Sequence, residues 1–186
     1  MSNHLDYEIN KELGECYLFM GELDKAESYY QKAAANSTDQ ADPYMGLATI
    51  AMQRGDLTIA MEHYHKAASL QESDKALAGL GLVHMNQGNH SEAFDLFSRS
   101  LTINPTNAVA LNCLVREGYQ LDRVDDLLPY LRINLDVSND NNTRITLAGC
   151  LLSLERNDEA KKLLAKVLEQ DPKNDSARAL YEHIAA

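Results

Sequence analysis

Basic residues, cysteines and long apolar runs are all scarce in this chain. Seventeen Lys and Arg stand against 28 Asp and Glu in 186 residues, a formal net charge of -11. No basic stripe is therefore available to neutralise phosphates, and nucleic acid and anionic membrane surfaces are poor partners. No stretch approaches the roughly 18 consecutive apolar residues that a spanning helix needs, and the first residues lack the basic head and apolar run of a signal peptide. A cytoplasmic location is the expectation. Cys16, Cys113 and Cys150 form an odd, widely spaced set flanked by helical patterns. Reduced buried thiols are expected, with neither disulfides nor a metal site. What is present is apolar matter: 45% of the residues are hydrophobic, enough to bury a sizeable core in one domain.

A six-residue pattern recurs along the chain. The copies are Gly21 to Ala26, Gly55 to Ala60, Gly88 to Ala93, Asp122 to Leu127 and Glu155 to Ala160, at intervals of 34, 33, 34 and 33. On both sides of each copy apolar residues return at i, i+3/i+4 and i+7, the spacing of one helix face. Each unit therefore reads as two antiparallel helices, A and B. In the first, Ile9, Leu13, Cys16, Tyr17 and Met20 line helix A, and Leu23, Ala26, Tyr29, Tyr30 and Ala33 line helix B. Gly21, Gly55 and Gly88 supply the backbone freedom that ends helix A. Asp24, Thr58 and Ser91 stand where N-caps of helix B are wanted.

The residues between these marks resemble the tetratricopeptide repeat, whose pattern runs Trp-x-x-Leu-Gly-x-x-Tyr, Ala-x-x-x-Phe, Pro. The first copy has Leu13-Gly14-x-x-Tyr17, Ala26-x-x-x-Tyr30 and Ala33. The second has Tyr44-x-x-Leu47-Ala48, Ala60-x-x-x-Tyr64 and Ala67. The third has Leu80-Gly81, Ala93-x-x-x-Phe97 and Pro105, and the fifth Leu147-Ala148, Ala160-x-x-x-Leu164 and Pro172. The resemblance implies an all-α, right-handed superhelical solenoid of antiparallel helix pairs. Its five repeats would run over about 7-40, 41-73, 74-107, 108-140 and 141-173, with 174-186 as a capping helix. Small residues at the Gly/Ala positions let A and B approach, and the Tyr/Phe position fills the wedge between units.

The fourth copy departs from the pattern. Val115 and Leu127 replace the small pair, and Pro129 falls inside helix B. With Asp125 or Asp126 as cap, Pro129 would lie in the first turn, so a shortened or shifted helix and a changed local twist are expected. The stretch Ser138 to Asn142 is the expected flexible point. No helix precedes the first repeat, which leaves its leading face open to a second copy or to further chain.

Catalysis is not expected, and no cofactor or metal is implied. Gly79-x-Gly81 lies mid-helix and follows no strand, so close packing explains it better than a phosphate loop. His63 and His65 are two apart on a helix and point to different faces. His84 takes a position that holds Tyr in the family pattern and reads as a packed or half-exposed side chain.

The resemblance places ligands on helix A, in the concave groove. The expected lining is Glu8, Lys11, Glu12 and Glu15 in the first repeat, and Met45, Thr49 and Met52 in the second. It continues with Ala78, Leu82 and Met85 in the third, then Asn112, Arg116 and Tyr119 in the fourth. Family members that clamp the C-terminal carboxylate of heat-shock chaperones need Asn, Asn and Arg where Glu15, Gly46 and Gly79 stand here. The asparagine ladder of the O-linked N-acetylglucosamine transferases is replaced by Glu12, Gly46, Gly79, Cys113 and Thr146. Gly46 and Gly79 are expected to open floor space among adaptable methionines, for an apolar segment or a helix. The first 42 residues carry nine acidic and three basic side chains, which favours a ligand with a basic end. The expected function is a non-catalytic scaffold that binds a peptide or helix of a protein partner. The alternatives are an auxiliary domain of a larger enzyme or secretion machine, and a homo-oligomer built through the N-terminal repeat.

Overall fold

The computed structural model describes residues 2-185. Among them are eleven α-helices and no strand, in two compact units, Met1–Ile103 and Asn104–Ala186. The first unit holds α1 (Ser2–Phe19), α2 (Leu23–Asn36), α3 (Asp42–Arg54), α4 (Leu57–Leu70), α5 (Asp74–Asn86) and α6 (His90–Ile103). The second holds α7 (Ala108–Gln120), α8 (Val124–Ser138), α9 (Asn141–Ser153), α10 (Asn157–Gln170) and α11 (Asp175–Ala185). Within each unit consecutive helices pack on one another, and α11 lies against α10 and α9 with Ala177 fully buried.

Every hairpin turns on one left-handed residue. Gly21, Gly55 and Gly88 have φ of 77, 83 and 79°, and Asp122 and Glu155 take the same place at 56 and 59°. The next residue returns its N–H to a carbonyl five residues back: Glu22 to Tyr17, Asp56 to Ala51, Asn89 to His84, Arg123 to Gly118 and Arg156 to Leu151, at 2.7 to 2.9 Å. This backbone closure satisfies the end of helix A at once. It also corrects the expected caps, since Asp24, Thr58 and Ser91 lie inside the first turn of helix B. The flanking Glu22 and Asp56 make no side-chain cap bond. Side-chain caps sit instead at the starts of α5, α7, α9 and α11. Ser73 Oγ accepts from Ala76 N (3.2 Å), Asn107 Oδ1 from Ala110 N (2.9 Å), Asp140 Oδ2 from Thr143 N (2.8 Å) and Asn174 Oδ1 from Ala177 N (3.0 Å).

The core is built from rings set against glycines. Tyr30 of α2 lies between Gly14 of α1 and Gly46 of α3, so that a Cβ at either glycine would run into the ring. Tyr64 covers Gly79 of α5, and Phe97 of α6 covers Gly81. Gly46 and Gly79 are thus the seats of aromatic rings, and the floor space expected at them is filled. The alanines of the small pairs, Ala26, Ala48, Ala60, Ala93, Ala148 and Ala160, have no exposed surface. In the fourth pair Leu127 is fully buried and its side chain lies over Gly118, one turn beyond Val115. The bulk added at Leu127 is accommodated by a glycine elsewhere on α7.

Three expectations about the fourth hairpin and the cysteines are corrected. Helix α8 is neither shortened nor shifted: it spans 15 residues with Pro129 in its interior. The proline ring is exposed and costs one backbone hydrogen bond on the outer face. The stretch after it, expected to be flexible, is a short hydrogen-bonded connection. Asn134 Oδ1 accepts from Thr143 Oγ1 (2.9 Å) and Ser138 Oγ (3.1 Å), its amide donates to the Pro105 carbonyl (2.7 Å), and buried Arg144 donates to Asn139 and Asn141. All three cysteines are free, yet only Cys150 is buried, Cys113 is half-buried and Cys16 is exposed.

Gly46→Ala forces a Cβ into the Tyr30 ring and is expected to lower stability by about 1 to 3 kcal/mol. Gly149→Ala meets nothing within 4 Å and should raise it by about 0.5 to 1 kcal/mol. Urea denaturation of the two variants measures both signs. Pro129→Ala restores a helical hydrogen bond, less about 1 kcal/mol of gained unfolded-chain freedom, and is expected to stabilise by about 1 to 2 kcal/mol in the same assay.

Candidate functional site

In the first unit, helices α1, α3 and α5 carry the expected groove residues. On α1, Glu12 and Glu15 are exposed, while Lys11 bridges to Glu8 (3.0 Å). That hydrogen bond holds the Lys11 ammonium above its ordinary range. On α3, Met45, Thr49 and Met52 are half-buried, with the Thr49 hydroxyl donating to the Met45 carbonyl (2.9 Å). Met45 and Met52 pack on the core formed by Ala48, Ala51, Ala60, Tyr64, Leu80 and Val83. On α5, Leu82 and Met85 are half-buried, whereas Ala78 is 4% exposed and belongs to the interior.

The acidic character of the leading end is visible in its neighbours. Burial pushes the Tyr30 phenol up to about 12, and the Glu15 and Asp42 carboxylates push the same way. Tyr7 is likewise raised, first by burial and then by Asp42. Both hydroxyls stay protonated at neutral pH.

In the second unit, Asn112, Arg116 and Tyr119 are exposed along α7. The Tyr119 hydroxyl lies 3.3 Å from Ser153 Oγ and donates to the buried Cys150 thiol at 3.7 Å. Arg116 Nε is 3.4 Å from the carboxylate of Glu117, which is 1% exposed. A cavity of about 420 Å3 opens beside this row, with Asn112, Asn142, Thr146 and Thr106 in its wall. Its far side is the polar cluster of Asn134, Thr143 and Asp140. Helix periodicity did not single out Asn134, Thr143 or Arg144, because a polar residue on a buried face adds nothing to the apolar pattern from which burial is read. The signal that was present is the Asn/Asp-rich stretch at 139-142, whose residues supply a cap and two amide partners for Arg144. Among the described residues no helix is long and apolar enough to cross a membrane.

Three tetratricopeptide repeat models match the chain, at residues 8-37, 45-108 and 138-184. The chain belongs to the tetratricopeptide repeat family. The segment between the second and third matches holds most of α7 and α8, the pair with Val115, Leu127 and Pro129. BBSome complex member BBS4 of Bos taurus is 35% identical over 111 residues, which make up 59% of this chain and 21% of that relative. The match thus takes in a minor part of the relative's length.

Solved structures share the all-α solenoid fold of the family. Pseudomonas aeruginosa pilF has a TM-score of 0.75 at 18% identity, covering 100% of this chain and 85% of that one. YrrB, a repeat protein with an unusual peptide-binding site, has a TM-score of 0.67 at 16% identity, covering 93% and 90%. MamA has a TM-score of 0.69 at 20% identity, covering 90% and 93%. At these identities the likeness concerns the fold. Repeats of this family indicate a protein–protein interaction scaffold.

The raised Tyr30 value carries a pH dependence. Its folded pKa exceeds that of the unfolded chain, so this contribution is complete below about pH 10 and is lost as pH rises towards about 12. The urea midpoint of the wild type is expected to fall across that window. Tyr30→Phe, which keeps the ring against Gly14 and Gly46, should show a shallower fall than the wild type.

Proposed function

We propose that this repeat protein is a non-catalytic scaffold that takes an extended or helical segment of a partner protein along the helix A faces. The observation that carries the reading is the state of Met45, Met52, Leu82 and Met85. These four apolar side chains on α3 and α5 each keep part of their surface in water, and Met45 and Met52 also pack on the core. Thioethers and a leucine at such a surface adapt to varied apolar partners. Glu12 and Glu15 at the leading end favour a segment with a basic end, and the polar cavity beside Asn112 offers amide and hydroxyl groups to a polar segment.

The filled seats at Gly46 and Gly79 change the mode of binding that is proposed. A ligand would lie across the methionines and would not sink between the helices, since the Tyr30 and Tyr64 rings already occupy that space. Little ordering cost falls on the scaffold, because helix faces hold these side chains in place before binding. The five-repeat division with α11 as a cap belongs to the same proposal, as does a cytoplasmic setting.

A second reading is favoured by the BBS4 relative, a member of a complex that is matched over 21% of its length. Repeats of this kind would then serve as the interaction domain of a larger assembly. The surface used would be the same.

The test selects a dodecamer from a random peptide library against the purified protein and measures its Kd by fluorescence anisotropy. Met52→Glu with Met85→Glu is expected to weaken binding by about tenfold or more, roughly 1.4 kcal/mol. Ile59→Asp, on the exposed side of α4, should leave it unchanged. Equal affinity in all three proteins refutes the helix A surface.

A further inference from the structure

Helix α1 carries an apolar stripe that is exposed among the described residues. Leu5, Ile9, Cys16 and Phe19 lie on one face, at steps of four, seven and three residues, and Met20 continues it into the turn. Their exposure is high for such side chains: 61% at Leu5, 47% at Ile9, 94% at Phe19 and 66% at Met20. The sequence had suggested Ile9, Cys16 and Met20 as lining of the first hairpin; the buried residues of α1 are instead Tyr7 and Gly14. Glu12, three residues after Ile9 and four before Cys16, lies within the stripe and Glu15 lies at its edge; neither makes an ion pair among the described residues.

The second unit has a groove of complementary chemistry on the side of its B helices. Leu135, Leu147, Leu151 and Leu163 line an opening of about 500 Å3, and Lys162 and Lys166 stand on its wall one helical turn apart. Neither lysine has an ion pair among the described residues. The acidic wall residue Glu159 is engaged: Arg132 bridges to it at 3.0 Å and Arg156 at 2.7 Å. Together they hold its carboxyl below the usual range, Arg156 contributing most. Asp136 is the other carboxylate in the wall. In a chain of net charge -11, two unpaired ammonium groups over a leucine floor are an unusual feature.

We propose that the α1 stripe of one molecule docks in the α8–α10 groove of a second copy, with Phe19 or Ile9 on the leucines and Glu12 and Glu15 facing Lys162 and Lys166. The spacings agree, since carboxylates three apart and ammonium groups four apart each span about one helical turn. The contact joins two different surfaces, so it is heterologous and generates head-to-tail chains unless the rotation closes. Its size sets its strength. An 18-residue helix is about 27 Å long and about 10 Å wide, so one face covers far less than the roughly 800 Å2 per partner of a stable interface. Association is therefore weak and depends on concentration and salt.

Sedimentation equilibrium tests this from about 10 to about 500 µM protein, at low and high salt. The weight-average mass is expected to rise above the 20.7 kDa monomer with concentration and to fall back in high salt. Phe19→Asp and the pair Lys162→Glu, Lys166→Glu should each stay monomeric with unchanged circular dichroism and melting, because all three positions are exposed. Glu12→Lys with Glu15→Lys should also stay monomeric, and an equimolar mixture of the two charge-reversed proteins should regain association. A wild type that is monomeric throughout overturns the proposal. So does association that survives the lysine reversals, which would assign the stripe to another surface. A mixture that fails to associate overturns the charge pairing. Glu12 and Glu15 belong to both surfaces, whereas Phe19 and the two lysines are outside the peptide surface proposed above, so the Phe19 and lysine variants distinguish the two readings.

Discussion

The contact between an aromatic ring on one helix and a glycine on the next is the constraint from which the rest of the first unit follows. Tyr30 cannot lie between α1 and α3 unless both Gly14 and Gly46 lack a Cβ, and Tyr64 and Phe97 impose the same condition on Gly79 and Gly81. Close approach brings the fully buried alanines into register, and the left-handed turns then return the chain at a fixed distance. Packing at crystal-like density leaves no slack for one extra methyl at these seats. The second unit meets the same demand by another route, with Leu127 over Gly118 and a polar cluster around Asn134 and Arg144.

The ring–glycine contact also shapes the outer surface. The rings fill the space at Gly46 and Gly79, and Met45 and Met52 pack on the core that includes Tyr64 while keeping part of their surface in water. The partner surface proposed for α3 and α5 is thus a consequence of how the core closes. Charge is distributed separately: the acidic pair Glu12 and Glu15 lies on α1, and Lys162 and Lys166, without an ion pair among the described residues, lie on α10. Ion pairs such as Arg54 with Asp24 and Glu27 tie α3 to α2, yet they are exposed enough that each contributes little beyond alignment.

Much of the fold was readable because its signals are local. Turns at Gly21, Gly55 and Gly88, alanine at fixed distance from them, and a helix on either side all depend on nearby residues. The turns at Asp122 and Glu155 were legible only through the period, since neither residue is the glycine that marks the other three turns. The N-caps were misassigned for a physical reason: a turn closed by a backbone N–H five residues on leaves no place for a side-chain cap. Pro129 was misread because a proline on an exposed helix face can be tolerated where neighbours hold the helix, and exposure is invisible along the chain. Of the groove residues that the family resemblance suggested on α1, α3 and α5, most keep some solvent contact, but the burial of Ala78 and the filling of Gly46 and Gly79 were not legible.

The amino-acid order by itself determined the helices, their turns, the repeat and the family, because each rests on contacts between residues close in sequence. Only the tertiary structure decided which small residues are seats for rings and which polar residues form an interior network. It alone also showed that the α1 stripe is left in water. Those outcomes depend on what packs from a neighbouring helix or connection, and the absence of a neighbour leaves no mark on the residues that lack it.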